Sequence, residues 1–311
     1  MENLVQHGII VGILATGVRL ATPFLLAALG EMFVQRSGVY NLGIEGIMMM
    51  GAFFGFLVTF FTGNVYLGLG ISLVVGLLMG LLMAVVSVTL KAEQGISGIG
   101  LYMFGWGLSG LLFRLYVGGI TSIKGLQPLR LPVLSSLPFI GDVFFNHNWV
   151  VYLAYLLVPV AWFVLFKTPW GLKVRAVGTT PEAADTLGVS VEAIRYQALI
   201  LGGMMAGLAG AYLTIGQANM YADYITAGRG FIAVALVYFG RWNPWGILAG
   251  SLLFSMADSF QLWVQVMGIS FPYELAVVLP YATTIVALAV SFGRVWTPAA
   301  LGRPYERGTR G

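Results

Sequence analysis

Residues 65–90 read VYLGLGISLVVGLLMGLLMAVVSVTL, a run of 26 positions without one charged side chain. A hydrocarbon layer about 30 Å thick needs about 20 apolar residues of helix to cross it, and this run exceeds that length. It does not alternate every second residue, as a strand of a membrane barrel would. Inside a bilayer each backbone N–H and C=O must find its partner within the protein, so helix is the form such a run takes. Similar runs recur at about 8–33, 44–62, 96–117, 149–167, 196–217, 226–241, 244–265 and 272–293. The expected fold is therefore an all-α polytopic membrane bundle of about nine helices, eight to ten given soft boundaries, built as one transmembrane domain over residues 1–311.

Composition points the same way. Of 311 residues, 59% are hydrophobic and 9% are charged, whereas soluble domains carry about 25% charged residues. Such a chain lacks the polar material to cover a water-facing surface. With no cysteine, disulfides and thiolate metal sites are excluded. The surplus of four positive charges is not concentrated in any stretch dense enough to track phosphates, so nucleic acid is not an expected partner. The opening MENLVQHGIIVG has no basic residue and leads into an apolar run without a small-residue cleavage site, the pattern of a retained anchor.

Two connections are long. Residues 118–148 hold three prolines with only Lys124 and Arg130 as basic groups, whereas the stretch from Lys167 to Arg195 adds Lys173 and Arg175. Basic residues collect on the cytoplasmic side of a membrane. That places 118–148 as an external loop, 168–195 as a cytoplasmic loop, 294–311 as a cytoplasmic tail and the N-terminus outside. Threaded this way, eleven basic residues lie inside and two in outer loops. An even number of helices would require the first segment to be two spans or re-entrant. Small residues four apart, at Gly51 and Gly55, Gly76 and Gly80, Gly203 and Gly207, and Ala206 and Gly210, suit close helix contacts. The punctuated pieces at 37–46 and 240–246 read as corresponding breaks in two inverted halves.

The cytoplasmic loop contains its own amphipathic segment. Thr180 stands where a cap belongs, Pro181 suits a first helical position, Glu182 and Asp185 favour the positive end of a helix, and Gly188 ends it. Around it lies a longer pattern: Gly171-Leu172-Lys173-Val174-Arg175-Ala176-Val177-Gly178, then Pro181-Glu182-Ala183-Ala184, then Gly188-Val189-Ser190. Earlier comes Arg36-Ser37-Gly38-Val39-Tyr40-Asn41-Leu42-Gly43-Ile44-Glu45-Gly46, and later Gly228-Arg229-Gly230-Phe231-Ile232-Ala233 and Gly240-Arg241-Trp242-Asn243-Pro244. In this order, over essentially the full length, the chain resembles the permeases of the branched-chain amino acid and sugar ABC importers. The Asn-Leu-Gly-Ile-Glu-Gly version resembles the nucleoside branch, whose binding proteins are basic membrane lipoproteins.

That resemblance implies a type II-like ABC importer permease bundle in a bacterial or archaeal cytoplasmic (inner) membrane, working by alternating access. It implies three protein partners: a cytoplasmic ATP-binding subunit, a second permease subunit (a paralogue or a second copy), and an external substrate-binding lipoprotein. The chain has no G-x-x-x-x-G-K-[ST] phosphate loop, so no cofactor is expected on it, and ATP and Mg belong to the partner ATPase. The resemblance assigns coupling to Glu182, Ala183, Ala184, Asp185 and Gly188, with the two alanines seating in a groove of the ATPase. The chain is then a transport subunit rather than an enzyme. Rival readings are a permease for a sugar, a branched-chain amino acid or a vitamin, and, from another class, a secondary transporter or channel working without an ATPase.

Ionisable groups within spans cost about 2.5–3.5 kcal/mol on insertion scales and usually face the bundle interior. Arg19, Glu31, Glu45, Arg114 and Asp258 qualify. Arg114 reads as a snorkelling residue, and Glu31 with Arg36 as a pair at a cytoplasmic end. Glu45 sits among Gly38, Asn41, Gly43 and Gly46, which points to unwound backbone. Two readings stay open for it, a cavity wall or a carboxylate bonded to amides at a broken helix start. Asp258 and Gln261 share a helix face with Ser255. A nucleoside would need polar groups for its ribose and aromatic walls for its base. Asn41, Glu45, Asp258 and Gln261 are the candidates for the first, and Phe104, Trp106 and Phe231 for the second, although aromatic residues in membrane helices are more often packing or interface anchors than solute contacts. Asp223 and Arg229 are expected to form a local pair or part of an outer gate. His7 and His147 have no partners at ligand spacing, so no metal site is expected.

Overall fold

The computed structural model describes residues 2–119, 121–130, 135, 139–266, 278, 282 and 297–306. Helix α1 (Glu2–Arg36) carries Pro23 in its interior, and at 1.5 Å per residue its 35 residues run about 50 Å. Helix α2 (Ile44–Thr62) stops at Gly63, whose φ of +67° places it in the left-handed region and whose N–H returns to the Thr59 carbonyl. The Asn64 side chain then caps α3 (Val65–Ala84), which continues through a π-helical turn at Val85–Thr89. Helix α4 (Gln94–Tyr116) starts on Glu93, whose carboxylate accepts from the Gly95 and Ile96 amides. Those two bonds hold the Glu93 carboxyl below the usual carboxylate range.

The long connection that follows contains the short helix α5 (Ile140–Phe144) and a two-residue ladder in which β1 (Leu129–Arg130) pairs antiparallel with β2 (Asn146–His147). Helices α6 (Trp149–Lys167), α7 (Pro169–Thr179), α8 (Pro181–Thr186) and α9 (Val191–Ala211) follow, and α9 passes into a π-helical stretch at Tyr212–Ala218. The described part of the bundle closes with α10 (Arg229–Phe239) and α11 (Pro244–Val266).

Helix α9 lies at the centre, packed on α1, α2 and α3, and bare backbone makes that packing possible. A methyl group on Gly51 would come within 2.3 Å of the Gly207 carbonyl oxygen, one on Gly76 within 2.2 Å of that of Gly203, and one on Gly210 within 1.9 Å of that of Met48. The small residues picked out by spacing thus sit where α2 and α3 touch α9. In lipid, where apolar burial no longer drives helix association, such close van der Waals approach does.

Among the described residues, seven helices are long and apolar enough to cross a membrane, so the expected nine are not all present as continuous spans. The expected span 226–241 is instead the 11-residue helix α10, about 16 Å long and about half a bilayer core. The expected span 272–293 lies outside the described residues. Helix α7 was not foreseen, because the run 168–195 reads as loop with one short helix.

Candidate functional site

Helix α4 serves as a ruler for the irregular segment 219–228. Along that segment Tyr221 packs on Phe113 with ring centroids 4.8 Å apart, Asp223 meets Arg114 at 3.3 Å, and Tyr224 contacts Trp106 at 6.1 Å. Phe231, at the start of α10, then reaches Tyr102 at 5.3 Å. The contacts descend α4 as the segment advances, so the chain runs antiparallel to α4 and becomes helical only halfway along it. Asn219, Tyr224 and Ala227 hold φ values of +56°, +59° and +45°, left-handed backbone that costs non-glycine residues of order 1–3 kcal/mol each.

The helix start created at this break needs partners for its first N–H groups. Glu45, fully buried in the first turn of α2, supplies them. Its Oε1 accepts from Thr226 Oγ1 at 2.5 Å and from the Gly228 amide at 2.8 Å, and its Oε2 accepts from the Gly230 amide at 2.5 Å. A carboxylate at a helix N-terminus also meets the positive end of the helix dipole. Gly230 permits the contact, since a methyl there would lie 2.7 Å from Glu45 Cα. Asn41 is equally internal. Its Oδ1 accepts from the Gly43 amide at 3.0 Å and its own N–H reaches Glu31 at 3.4 Å, the turn-forming use of an Asn.

The other pathway candidates separate into two groups. Trp106 and Phe231 meet around Tyr102, whose ring stacks on Trp106 at 6.2 Å and 6°. Phe104 is two positions from both Tyr102 and Trp106, about 200° around the helix, and so points away from them. Asp258 is half-buried and within Coulombic reach of Arg229; Gln261 is partly buried one turn further along α11. Ser255 turns back to the Leu252 carbonyl at 3.1 Å. Tyr102 and Tyr224 were missed by the sequence reading, although the four-residue spacing of Tyr102 and Trp106 was available.

Two expected pairings are replaced. Asp223 binds Arg114 rather than Arg229, and the Arg229 guanidinium caps the Ile225 and Thr226 carbonyls at 3.2 Å. Glu31 accepts from Gln35 at 3.0 Å, while Arg36 reaches across to the Trp242 carbonyl at 3.2 and 2.9 Å. The Trp242 indole in turn donates to Gln35 at 2.9 Å. The two glycine-punctuated breaks therefore meet at one end of the bundle, the end that also holds Lys91, Arg195 and the described tail.

At that same end lies α8. Thr180 precedes it but makes no side-chain cap, contrary to expectation; its carbonyl accepts from the Ala184 amide at 3.1 Å. Gly188, at φ +82°, ends the helix as its sequence suggests. The two alanines face opposite ways: Ala183 is exposed, whereas Ala184 is buried against the bundle. In the chain by itself Ala183 is therefore the alanine open to a partner, and Ala184 packs inward. Leu187, 84% exposed, shares the outer face with Ala183, four positions apart. Beside α8 opens a polar cleft of about 620 Å³ lined by Lys91, Asp185, Val189, Glu192, Tyr305 and Glu306, bridged by the Lys91–Glu306 ion pair at 3.1 Å.

The opposite end holds a smaller cavity of about 280 Å³, lined by Arg19, Asp142, Asn146, His147, Asn148 and Gln217 among others. Burial lowers the His147 pKa from its ordinary value and the Arg19 charge adds to this, against a 2.8 Å contact with the Val143 carbonyl. Among the described residues no three His, Cys, Asp or Glu side chains gather to hold a metal.

Seven helices long and apolar enough to cross a membrane among the described residues, with the start of α10 bonded to a buried carboxylate of α2, give the chain a multi-pass membrane character. Residues 13–288 match the permease component of the branched-chain amino acid transport system, and the chain belongs to that family. Among its relatives, a Haloferax volcanii protein provisionally named as the glucose ABC transporter permease TsgC13 is 39% identical, over 95% of this chain and 98% of its own. The guanosine ABC transporter permease NupQ of Bacillus subtilis is 35% identical over 93% and 95%. The nucleoside ABC transporter permease NupC of Lactococcus lactis is 34% identical over 92% and 93%. No solved structure matches the chain.

Proposed function

We propose that this chain is the transmembrane permease subunit of an ATP-driven importer and that it moves nucleosides or related nucleobase compounds. The observation that carries this reading is the 34–35% identity to the guanosine and nucleoside permeases over more than nine-tenths of the chain. The aromatic ladder of Tyr102, Trp106, Tyr224 and Phe231 supports it, because a planar base can exchange one ring contact for the next along α4. Asp258 and Gln261, partly open, are suited to ribose hydroxyls, whereas Asn41 and Glu45 act one layer back by fixing the backbone of the pathway. A second permease subunit completes the wall left open by α4. Energy comes from a separate ATP-binding subunit holding ATP and Mg, docked at Glu182, Ala183, Asp185 and Leu187, and an external binding lipoprotein delivers the solute.

The end carrying Arg36, Lys91, Arg195 and Arg241 is cytoplasmic on this reading, with the 118–148 connection outside. Because the chain has no native cysteine, single cysteines at Ala183 and Thr121, labelled with a membrane-impermeant thiol reagent on intact cells, test the orientation: Thr121 should react and Ala183 should not. The 39% identical glucose-linked relative favours a sugar as the second reading. Competition uptake in cells expressing the full transporter decides: guanosine should displace labelled solute at far lower concentration than glucose does.

A further inference from the structure

Arg195 stands in the first turns of α9 with 1% of its surface exposed. Removing a guanidinium from water costs several kcal/mol unless partners compensate, yet among the described residues no carboxylate hydrogen-bonds to it. Its Nε donates to the Ser37 carbonyl at 3.3 Å and its Nη1 to the Arg303 carbonyl at 3.1 Å, while Nη2 has no hydrogen-bond partner among the described residues. A methyl on Gly38 would lie 3.1 Å from that Nη2, so the planar group is wedged against the turn between α1 and α2. Glu182 of α8 acts on its charge through space.

These contacts tie together parts that the backbone leaves separate. The α1–α2 turn is laced to the tail by Gly302 N–H to the Gly38 carbonyl at 3.1 Å, and the tail to the end of α7 by Ala300 N–H to the Gly178 carbonyl at 3.0 Å. Helix α8 enters α9 within a few residues, since Val189 N–H closes on the Ala184 carbonyl at 3.0 Å and Ser190 caps α9. Arg195 is the side chain that links the start of α9 to both the turn and the tail. Beyond the turn lie Asn41, then Glu45, then the start of α10. A fork of fixed donors can hold two carbonyls of different segments at once, which a lysine's single ammonium does less well.

We propose that Arg195 is a positioning residue that passes displacement of α8 to the α1–α2 turn, and through Glu45 to the broken crossing segment. This rests on the ATP-driven reading above. The test uses the complete transporter in proteoliposomes, comparing wild type, Arg195→Lys and Arg195→Gln. Three quantities are read: basal ATP hydrolysis, guanosine carried per ATP, and hydrogen exchange at residues 37–45 and 181–189 with and without a non-hydrolysable ATP analogue. In wild type both segments should respond to the nucleotide. In Arg195→Gln, basal hydrolysis and the response at 181–189 should persist, the response at 37–45 should vanish, and solute carried per ATP should fall at least tenfold, with Arg195→Lys in between. A nucleotide response at 37–45 that survives in Arg195→Gln overturns the proposal. So does an Arg195→Lys variant that no longer retains the ATPase, since Arg195 would then be needed for assembly alone. If wild type itself shows no ATP-dependent uptake, the ATP-driven reading fails instead.

Discussion

Removing the Glu45 side chain should unlatch the start of α10 while leaving the rest of the bundle in place. In Glu45→Ala the Gly228 and Gly230 amides, 2.8 and 2.5 Å from the carboxylate, lose those bonds at a helix start where Gly230 is buried and Gly228 partly buried. An orphaned buried donor costs about 1–3 kcal/mol; Gly230 bears this in full and the partly buried Gly228 in part, so the pair should cost roughly 2–4 kcal/mol. At 1.4 kcal/mol per tenfold change, even the lower figure makes local opening about 30-fold more frequent. Hydrogen exchange reads this directly: residues 228–232 should lose protection by that factor or more, while the centre of α9 stays unchanged. Glu45→Gln keeps one acceptor oxygen and turns an amide NH2 toward the other donor, so it should recover only part of the protection. Unchanged exchange at 228–232 in Glu45→Ala would refute the assignment of Glu45 as the cap of the broken segment.

Three further perturbations separate packing from coupling. Ala184→Trp places a large ring in the buried side of α8 and should destabilise the purified chain by more than the ~1–3 kcal/mol of ordinary overpacking, whereas Ala183→Trp should leave its melting midpoint alone and weaken co-purification of the ATPase; equal melting of the two variants contradicts the burial difference. Gly76→Leu drives a side chain into the Gly203 carbonyl, 2.2 Å from where its Cβ would sit, and should abolish folded protein on size-exclusion chromatography, while Gly70→Leu, with open space around it, should be tolerated. The lowered His147 pKa means that its neutral form is favoured by folding: that contribution is complete above the unfolded value of about 6.5 and is lost as pH falls through the folded value. Protection factors at residues 129–130 and 146–147, corrected for the intrinsic exchange rate at each pH, should therefore fall on acidification in wild type and much less in His147→Gln.

The long helices were legible because each needs only local information, length and apolarity. The break at 219–228 was not, because apolar content does not distinguish 11 helical residues preceded by left-handed backbone from one continuous helix. What reveals the break is Glu45, and it does so only through partners more than 180 positions away. The glycine-rich surroundings of Glu45 did point to exposed amides, but not to those of another helix. Similarly, Ala183 and Ala184 are equivalent as letters, and only the docking of α8 on the bundle turns one outward. Phe104 and Trp106 separate by simple helix angle, whereas Tyr102 and Tyr224 gain meaning from each other's placement. Arg195 was one basic residue among several in a loop until its burial set it apart.

The central claim, a nucleoside permease driven by a partner ATPase, is tested most directly by transport in a defined system. The chain would be co-expressed with an ATP-binding subunit, a second permease and a binding protein from the same organism, purified, and reconstituted into proteoliposomes. The ATPase should be retained in stoichiometric amount, and labelled guanosine should accumulate only with ATP and binding protein. Uptake by this chain alone under an ion gradient, or ATP-driven uptake of glucose with guanosine ignored, would contradict it.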